Sequence, residues 1–116
     1  MVDISFMKKR SLIAILALFA SSAIAEDTKE QWRLDAERAV IEANKGTVMD
    51  AFSSQPLSFW VTMRDDGSRR DGFAEYVCLE ISDYKPSGQS VVVTIWDGIA
   101  MSRGDFLEIG KAVCPD

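Results

Sequence analysis

The first pattern along the chain is helical. Between Glu26 and about Lys45 the apolar residues recur at the spacing of one face of an amphipathic helix. Gly46 follows, and glycine is favoured in the left-handed position just past a helix end. A further helical turn is predicted at residues 47–52. The apolar stripe of the first helix consists of Trp32, Ala36, Ala39, Val40 and Ala43.

From Leu57 the period changes to two. Apolar and polar residues alternate over the positions that follow, which is the pattern of a half-buried strand. Asp66 and Gly67 predict a tight hairpin turn, since a type I′ turn needs positive φ angles. A returning strand is predicted at residues 73–82, and the β-prone run at residues 91–96 predicts a central strand. The first of these three strands is expected to form an exposed edge of the sheet.

The C-terminal segment predicts a second helix. Ser102 is followed three positions later by Asp105, a spacing typical of a helix N-terminal cap. The apolar residues beyond it share one helical stripe, and the helix is expected to end near Cys114. That stripe consists of Phe106, Ile109, Gly110 and Val113.

Residues 1–25 have the composition of a targeting segment. Lys8–Arg10 form a basic start, residues 12–20 are apolar, and Ala23–Ala25 supply the small side chains that signal peptidase accepts. The apolar stretch is shorter than the roughly 20 residues that span a bilayer. We therefore predict a cleavable signal peptide, one small domain over residues 26–116, and a periplasmic or secreted location with no stable membrane anchor.

The two cysteines, Cys78 and Cys114, both lie in the exported part. In an oxidising compartment an even number of cysteines predicts a disulfide bond, whereas a redox pair normally has Cys-x-x-Cys spacing. All these elements together predict an α+β domain. It has an N-terminal helix, a three-stranded antiparallel β-meander, helices packed on one face, and a short C-terminal helix tied to the middle strand by the disulfide.

Charge and composition exclude several classes of function. The 116 residues include 13 Lys+Arg, 18 Asp+Glu and no histidine. Signal cleavage removes one acid and three bases, which leaves 17 acids, 10 bases and a net charge of about −7. A surface of this charge repels nucleic acid and anionic lipid. The usual general base and zinc ligand are absent, so we expect no enzyme, no cofactor and no metal site. The carboxylates left for acid–base chemistry include Glu75, Glu80 and Asp97.

The densest polar cluster of the chain is expected at the tip of the predicted hairpin, residues 64–72. Its arginines can bind carboxylates or phosphates of a partner, and the alternative is a solvated turn whose charges pair locally. A calcium loop is not expected, since the required Asp-x-Asp-x-Asp-Gly pattern is not met. The candidate partner-binding residues of the tip are Arg64, Asp66, Arg69, Arg70 and Asp71.

Aromatic residues in the predicted strands form a second candidate surface. If helices cover only one face of the sheet, the other face would present Trp60, Tyr76 and Trp96 together. Such a patch binds a partner protein or a sugar ring that stacks on indole. The alternative is that these rings are core residues or shield the thin side of a small sheet.

The chain contains no motif specific enough to name a family. A signal peptide followed by a small acidic domain with one disulfide resembles many bacterial envelope proteins, including inhibitors and accessory factors. We therefore expect a non-enzymatic periplasmic or secreted protein that binds another envelope or secreted protein. The alternative function is a binding module for a saccharide or cell-wall fragment that uses the surface tryptophans.

Overall fold

The computed structural model describes residues 29–115, so the predicted signal peptide and its cleavage site lie outside the described residues. No helix among the described residues is long and apolar enough to cross a membrane. The elements, in chain order, are α1 (Gln31–Ala43), β1 (Val48–Gln55), β2 (Ser58–Met63), α2 (Asp71–Ile81), β3 (Val91–Asp97), α3 (Gly98–Ser102) and β4 (Glu108–Cys114).

The four strands form one mixed sheet in the order β1-β2-β3-β4. β1 and β2 are antiparallel and so are β3 and β4, but the central pair, β2 and β3, is parallel. A parallel pair needs a crossover connection, and α2 supplies it. The α+β class is therefore confirmed, whereas the predicted three-stranded antiparallel meander is wrong.

Both long helices lie on the same face of the sheet. α1 contacts β1, while α2 contacts β3 and β4, and the two helices also contact each other. Ala36 and Val40 of α1 and Val77 and Ile81 of α2 are fully buried. The strand side chains that complete this core are Ala51, Phe59, Val61, Met63, Val91, Val93, Ile95, Ile109 and Cys114.

The predicted disulfide joins Cys78 and Cys114, with 5.2 Å between their Cα atoms. The pairing is confirmed, but the elements that it ties are different from the prediction. Cys78 lies on α2 and Cys114 lies at the end of β4. The bond therefore fastens the crossover helix to the edge strand, rather than a C-terminal helix to a middle strand. Both cysteines are buried in the layer between helix and sheet.

The segment predicted as a returning strand is the helix α2. Asp66 and Gly67 lie in the connection between β2 and α2 and not in a hairpin turn, although Gly67 does have a positive φ of 87°. Phe73, Val77 and Ile81 are spaced four residues apart, so a helix places them on one side as readily as a strand would. Tertiary packing selects the helix, because its buried side faces β3 and β4.

Two further element predictions are wrong because a strand partner is available. The turn expected at residues 47–52 is part of β1, which pairs with β2. The helix expected after Ser102 is the strand β4, which pairs with β3. A short helix, α3, ends at Ser102, and Asp97 caps it by accepting bonds from the N–H groups of Ile99 and Ala100.

The strand expected at the exposed edge, β2, is an interior strand. The edge on that side is β1, and α1 closes it. The buried Arg33 donates from Nε to Ser53 Oγ at 2.7 Å and from Nη2 to the Ser53 carbonyl at 2.9 Å. The Glu37 carboxylate accepts a hydrogen bond from the outward N–H of Ser53, and the Asp50 carboxylate accepts one from the N–H of Ala51. Side chains thus occupy the positions at which another strand would pair.

Candidate functional site

The face of the sheet opposite the two long helices carries the candidate site. Side chains alternate along each strand, so those between the core residues point to this open face. β2 contributes Trp60 and Thr62, and β3 contributes Thr94 and Trp96. The buried side chains of α1 and α2 pack on the opposite, covered face, in the core of the domain. The short helix α3 passes over one end, where Gly98 lies beside Thr62.

Three aromatic rings pack against one another on the open face. Trp60 and Trp96 lie on adjacent parallel strands, with ring centroids 5.1 Å apart and planes inclined by 63°. Phe106, from the segment after α3, completes the cluster at 6.2 Å from Trp60 and 5.8 Å from Trp96. These edge-to-face arrangements are the preferred geometry of aromatic pairs. The rings therefore stabilise one another on the side of the sheet opposite the two long helices.

Solvent exposure differs within this cluster. Both tryptophans are half-buried, whereas Phe106 is 61% exposed and the adjacent Leu107 is also exposed. The Trp96 Nε1 atom is buried and has no hydrogen-bond acceptor among the described residues. On the neighbouring strand β1, Phe52 lies opposite Trp60. The Lys29 Nζ atom lies 4.2 Å from the centroid of the Phe52 ring. We call Phe52, Trp60, Trp96 and Phe106 the aromatic face.

Tyr76 does not belong to the aromatic face. It lies on α2, on the other side of the sheet, where its ring is 6.0 Å from that of Phe73. The prediction that grouped it with Trp60 and Trp96 is wrong because it assumed a strand at residues 73–82. Sequence reasoning missed Phe52 and Phe106, which it had assigned to helical segments. Residues 48–55 show no regular alternation that would have marked Phe52, since register shifts interrupt β1 at both ends.

The charged segment 64–70 connects β2 to α2, so it is not a hairpin tip. Arg69 donates to Asp71 from Nε at 3.2 Å and from Nη2 at 2.8 Å. Arg70 pairs with Asp66 at 3.3 Å and also donates to the Arg64 carbonyl. Four of the five candidate residues of this segment therefore bind one another through their side chains, and Arg64 takes part through its backbone.

The same segment is also fastened to β4. The Arg70 N–H donates to the Ile109 carbonyl at 2.7 Å, and the Asp71 carboxylate accepts the Lys111 N–H at 2.9 Å. Gly110 makes this approach possible, since a Cβ there would overlap the backbone carbonyl of Arg70. The segment thus closes the first half of the outer edge of β4.

Three carboxyl groups of the described residues have shifted pKa values. Hydrogen bonds from Ser68 lower the pKa of Asp66. The hydrogen bond from Arg69, followed by that from the Lys111 backbone, lowers the pKa of Asp71. Burial raises the pKa of Glu80, although a hydrogen bond from the Asn44 amide partly opposes it. The two aspartates are held as anions by structural partners, so their shifts follow from the fold.

The carboxylates considered for acid–base chemistry do not converge. Glu75 lies on the exposed side of α2, Glu80 accepts hydrogen bonds from Asn44, the residue after α1, and Asp97 caps α3. No group of three or more metal-ligating side chains occurs among residues 29–115. No family model, curated protein or solved structure matches this chain.

Proposed function

We propose that this chain is an exported, non-enzymatic protein that binds another protein through the aromatic face. The observation that carries the proposal is the edge-to-face cluster of Trp60, Trp96 and Phe106 on the open side of the sheet. Aromatic side chains are enriched at the energetic centres of protein interfaces. The disulfide supports an oxidising compartment, either the periplasm or the outside of the cell.

The composition of this surface favours a protein over a saccharide. A sugar stacks on the flat face of an exposed indole or phenol ring, and polar groups nearby bind its hydroxyls. Here the tryptophans are half-buried, and the most exposed ring, Phe106, has no polar atom. The exposed neighbours Phe52 and Leu107 are also apolar. These side chains fit the apolar centre of a protein interface.

The charged segment 64–70 is not part of the proposed contact. Its side chains are engaged with one another, and its backbone holds β4. Exposed ion pairs of this kind contribute less than about 1 kcal/mol each. Reversal of their charges would remove hydrogen bonds within the fold before it tested any partner.

The experiment is capture of binding proteins from an envelope extract with three tagged forms of the full chain. The forms are wild type, Phe106→Asp and the control Tyr84→Asp, which places the same charge at an exposed aromatic residue away from the aromatic face. We expect one dominant protein that wild type and the control retain and that Phe106→Asp loses at least tenfold. Mass spectrometry identifies it and titration measures its affinity.

Equal capture by all three forms would contradict the proposal. If no protein is captured, tryptophan fluorescence during titration with soluble cell-wall fragments tests the saccharide alternative. A shift in Trp60 and Trp96 emission that is lost in Phe106→Asp would then replace the protein partner by a saccharide. No response there would exclude the aromatic face from both functions.

A further inference from the structure

The outer edge of β4 is closed over only half its length. The backbone groups of Ile109, Lys111 and Val113 point outward, because Gly110, Ala112 and Cys114 are the residues whose backbone groups face β3. Arg70 binds the carbonyl of Ile109, and Asp71 binds the N–H of Lys111. Within residues 29–115, the Lys111 carbonyl and both backbone groups of Val113 have no hydrogen-bond partner beyond the sheet.

An apolar groove runs beside these unpaired groups. It has a volume of about 440 Å³ and lies between the outward side of α2 and the end of β4. Leu79 is 71% exposed and Val113 is 63% exposed, which are high fractions for large aliphatic side chains. The residues that line the groove include Gly72, Glu75, Tyr76, Leu79, Val113 and Pro115.

We propose that this edge groove binds an extended segment of another protein, which adds a fifth strand beside β4. The Lys111 carbonyl and the two groups of Val113 would pair with the backbone of the segment, as in other cases of strand addition. Its side chains would alternate, so every second one enters the groove beneath Tyr76 and Leu79. The proposal uses residues distinct from the aromatic face and stands without it.

A second copy of this chain fits the edge less well than a different protein does. If Val113 pairs with Val113 of the other copy, the Lys111 carbonyl faces Pro115, which has no N–H. If Val113 pairs instead with Lys111, the N–H of Lys111 is already bound to Asp71. Both registers leave one backbone group of each chain unpaired.

The charge of the chain also favours a different protein over a second copy. Each copy would bring Glu75 and an excess of acidic over basic residues to the contact, so two copies repel. A segment with a lysine or arginine beside its apolar residues would instead be attracted by Glu75. The expected occupant is therefore an extended, partly apolar and basic stretch of a different protein.

The test uses a defined peptide and the full chain. The peptide has eight residues that alternate valine and threonine, is capped at both ends and carries an added lysine at each end. Hydrogen exchange followed by NMR should show at least tenfold slower exchange of the Val113 N–H with saturating peptide. The Lys111 N–H, already bound to Asp71, is the internal control and should change little.

Two variants of the experiment separate strand pairing from adhesion to an apolar surface. The same peptide N-methylated at alternate residues should bind at least tenfold more weakly, and this control leaves the protein unchanged. Val113→Pro removes the outward N–H without removing a bond to β3, and should lose the peptide to a similar extent. Glu75→Gln should weaken binding about threefold.

Three results would overturn the proposal. The first is unchanged exchange at Val113 with millimolar peptide. The second is binding that N-methylation of the peptide does not affect. The third is protection of Val113 without peptide that increases with protein concentration, which would make a second copy the occupant. If Val113→Pro fails to fold, the N-methylated peptide still decides the outcome.

Discussion

The two faces of the sheet are built from different kinds of contact. On the covered face, aliphatic side chains meet the two long helices, and the disulfide fastens α2 to β4. On the open face, the aromatic rings contact mainly one another, and the outermost, Phe106, is largely exposed. A substitution on the covered face disturbs several elements at once. A substitution of the exposed Phe106 on the open face is expected to change mainly the surface.

This difference separates stability from binding. Burial of apolar side chains between two layers supplies most of the free energy of folding, so the covered face determines whether the domain forms. The aromatic face contributes less to folding than its number of rings suggests, because Phe106 remains in water. We therefore expect substitutions on the covered face to lower stability and substitutions on the open face to lower partner binding.

The largest expected effect is removal of the disulfide. The double substitution Cys78→Ser and Cys114→Ser opens a loop with a sequence separation of 36 residues. The chain-entropy relation then predicts a loss of about 4 kcal/mol in the free energy of unfolding. Urea titration followed by circular dichroism measures it. A loss below about 1 kcal/mol would show that the helix layer holds β4 without the bond.

Two glycine-to-alanine substitutions, each of which adds one Cβ atom, compare the covered face with the open face. A Cβ at Gly110, on the covered face, would overlap the Arg70 backbone, so Gly110→Ala should cost about 1–3 kcal/mol. A Cβ at Gly98, beside the open face, would meet the thioether of Met49, a flexible side chain that can move. Gly98→Ala should therefore change stability by less than about 1 kcal/mol. Equal effects in thermal unfolding would refute the distinction.

Truncation of Phe106 should cost little stability. Phe106→Ala removes two edge-to-face contacts, but the ring is already 61% exposed. We expect a loss of about 1 kcal/mol or less in the free energy of unfolding, within the usual value of aromatic pairs. Urea titration measures stability, and binding is measured with the captured partner. A loss above about 3 kcal/mol would assign the ring to the core.

The smallest effects concern acid pH. The pKa values of Asp66 and Asp71 are lowered in the folded state, so their stabilisation is present at neutral pH. It is lost as the pH falls below about 4 through the lowered values. The pKa of Glu80 is raised, so its contribution has the opposite sign and is lost as the pH rises through the raised value.

Two variants separate these groups by their urea midpoints between pH 3 and 7. Asp71→Asn should flatten the fall in stability toward low pH, since the lost carboxylate no longer titrates. Glu80→Gln should raise the urea midpoint above that of wild type at pH 7 and less so at pH 4. At pH 7 the wild-type protein buries a charged carboxylate, and the variant does not. Parallel profiles for wild type and both variants would contradict the assignment of the shifts to these side chains.

The sequence predicted the elements in which the spacing of apolar residues fits either a helix or a strand, but not both. The first helix, β2 and β3 were predicted as helix and strands because their local pattern fits one period. The disulfide was predicted correctly because the chain contains only two cysteines. Residues 71–81 and 108–114 were assigned the wrong element because their apolar residues fit both periods. The choice there depends on long-range pairing, since β4 forms against β3 and α2 packs above both.

The candidate site shows the same limit. Trp60 and Trp96 were grouped correctly because both lie in strands that the local pattern identified. Tyr76 was grouped with them and Phe106 was missed, since each lies in a segment whose element was wrong. The arginines were assigned to a projecting tip because no sequence pattern shows that Arg70 binds the backbone of β4.

The closed edge of β1 has a consequence for how this protein would aggregate. Arg33 and Glu37 reach Ser53 only while α1 is docked, so undocking of this helix would expose the outward N–H and C=O groups of Ser53. Such a local opening requires less free energy than global unfolding. Bare strand edges template aggregation, so the rate of aggregation should follow the detachment of α1 rather than the melting temperature of the whole domain.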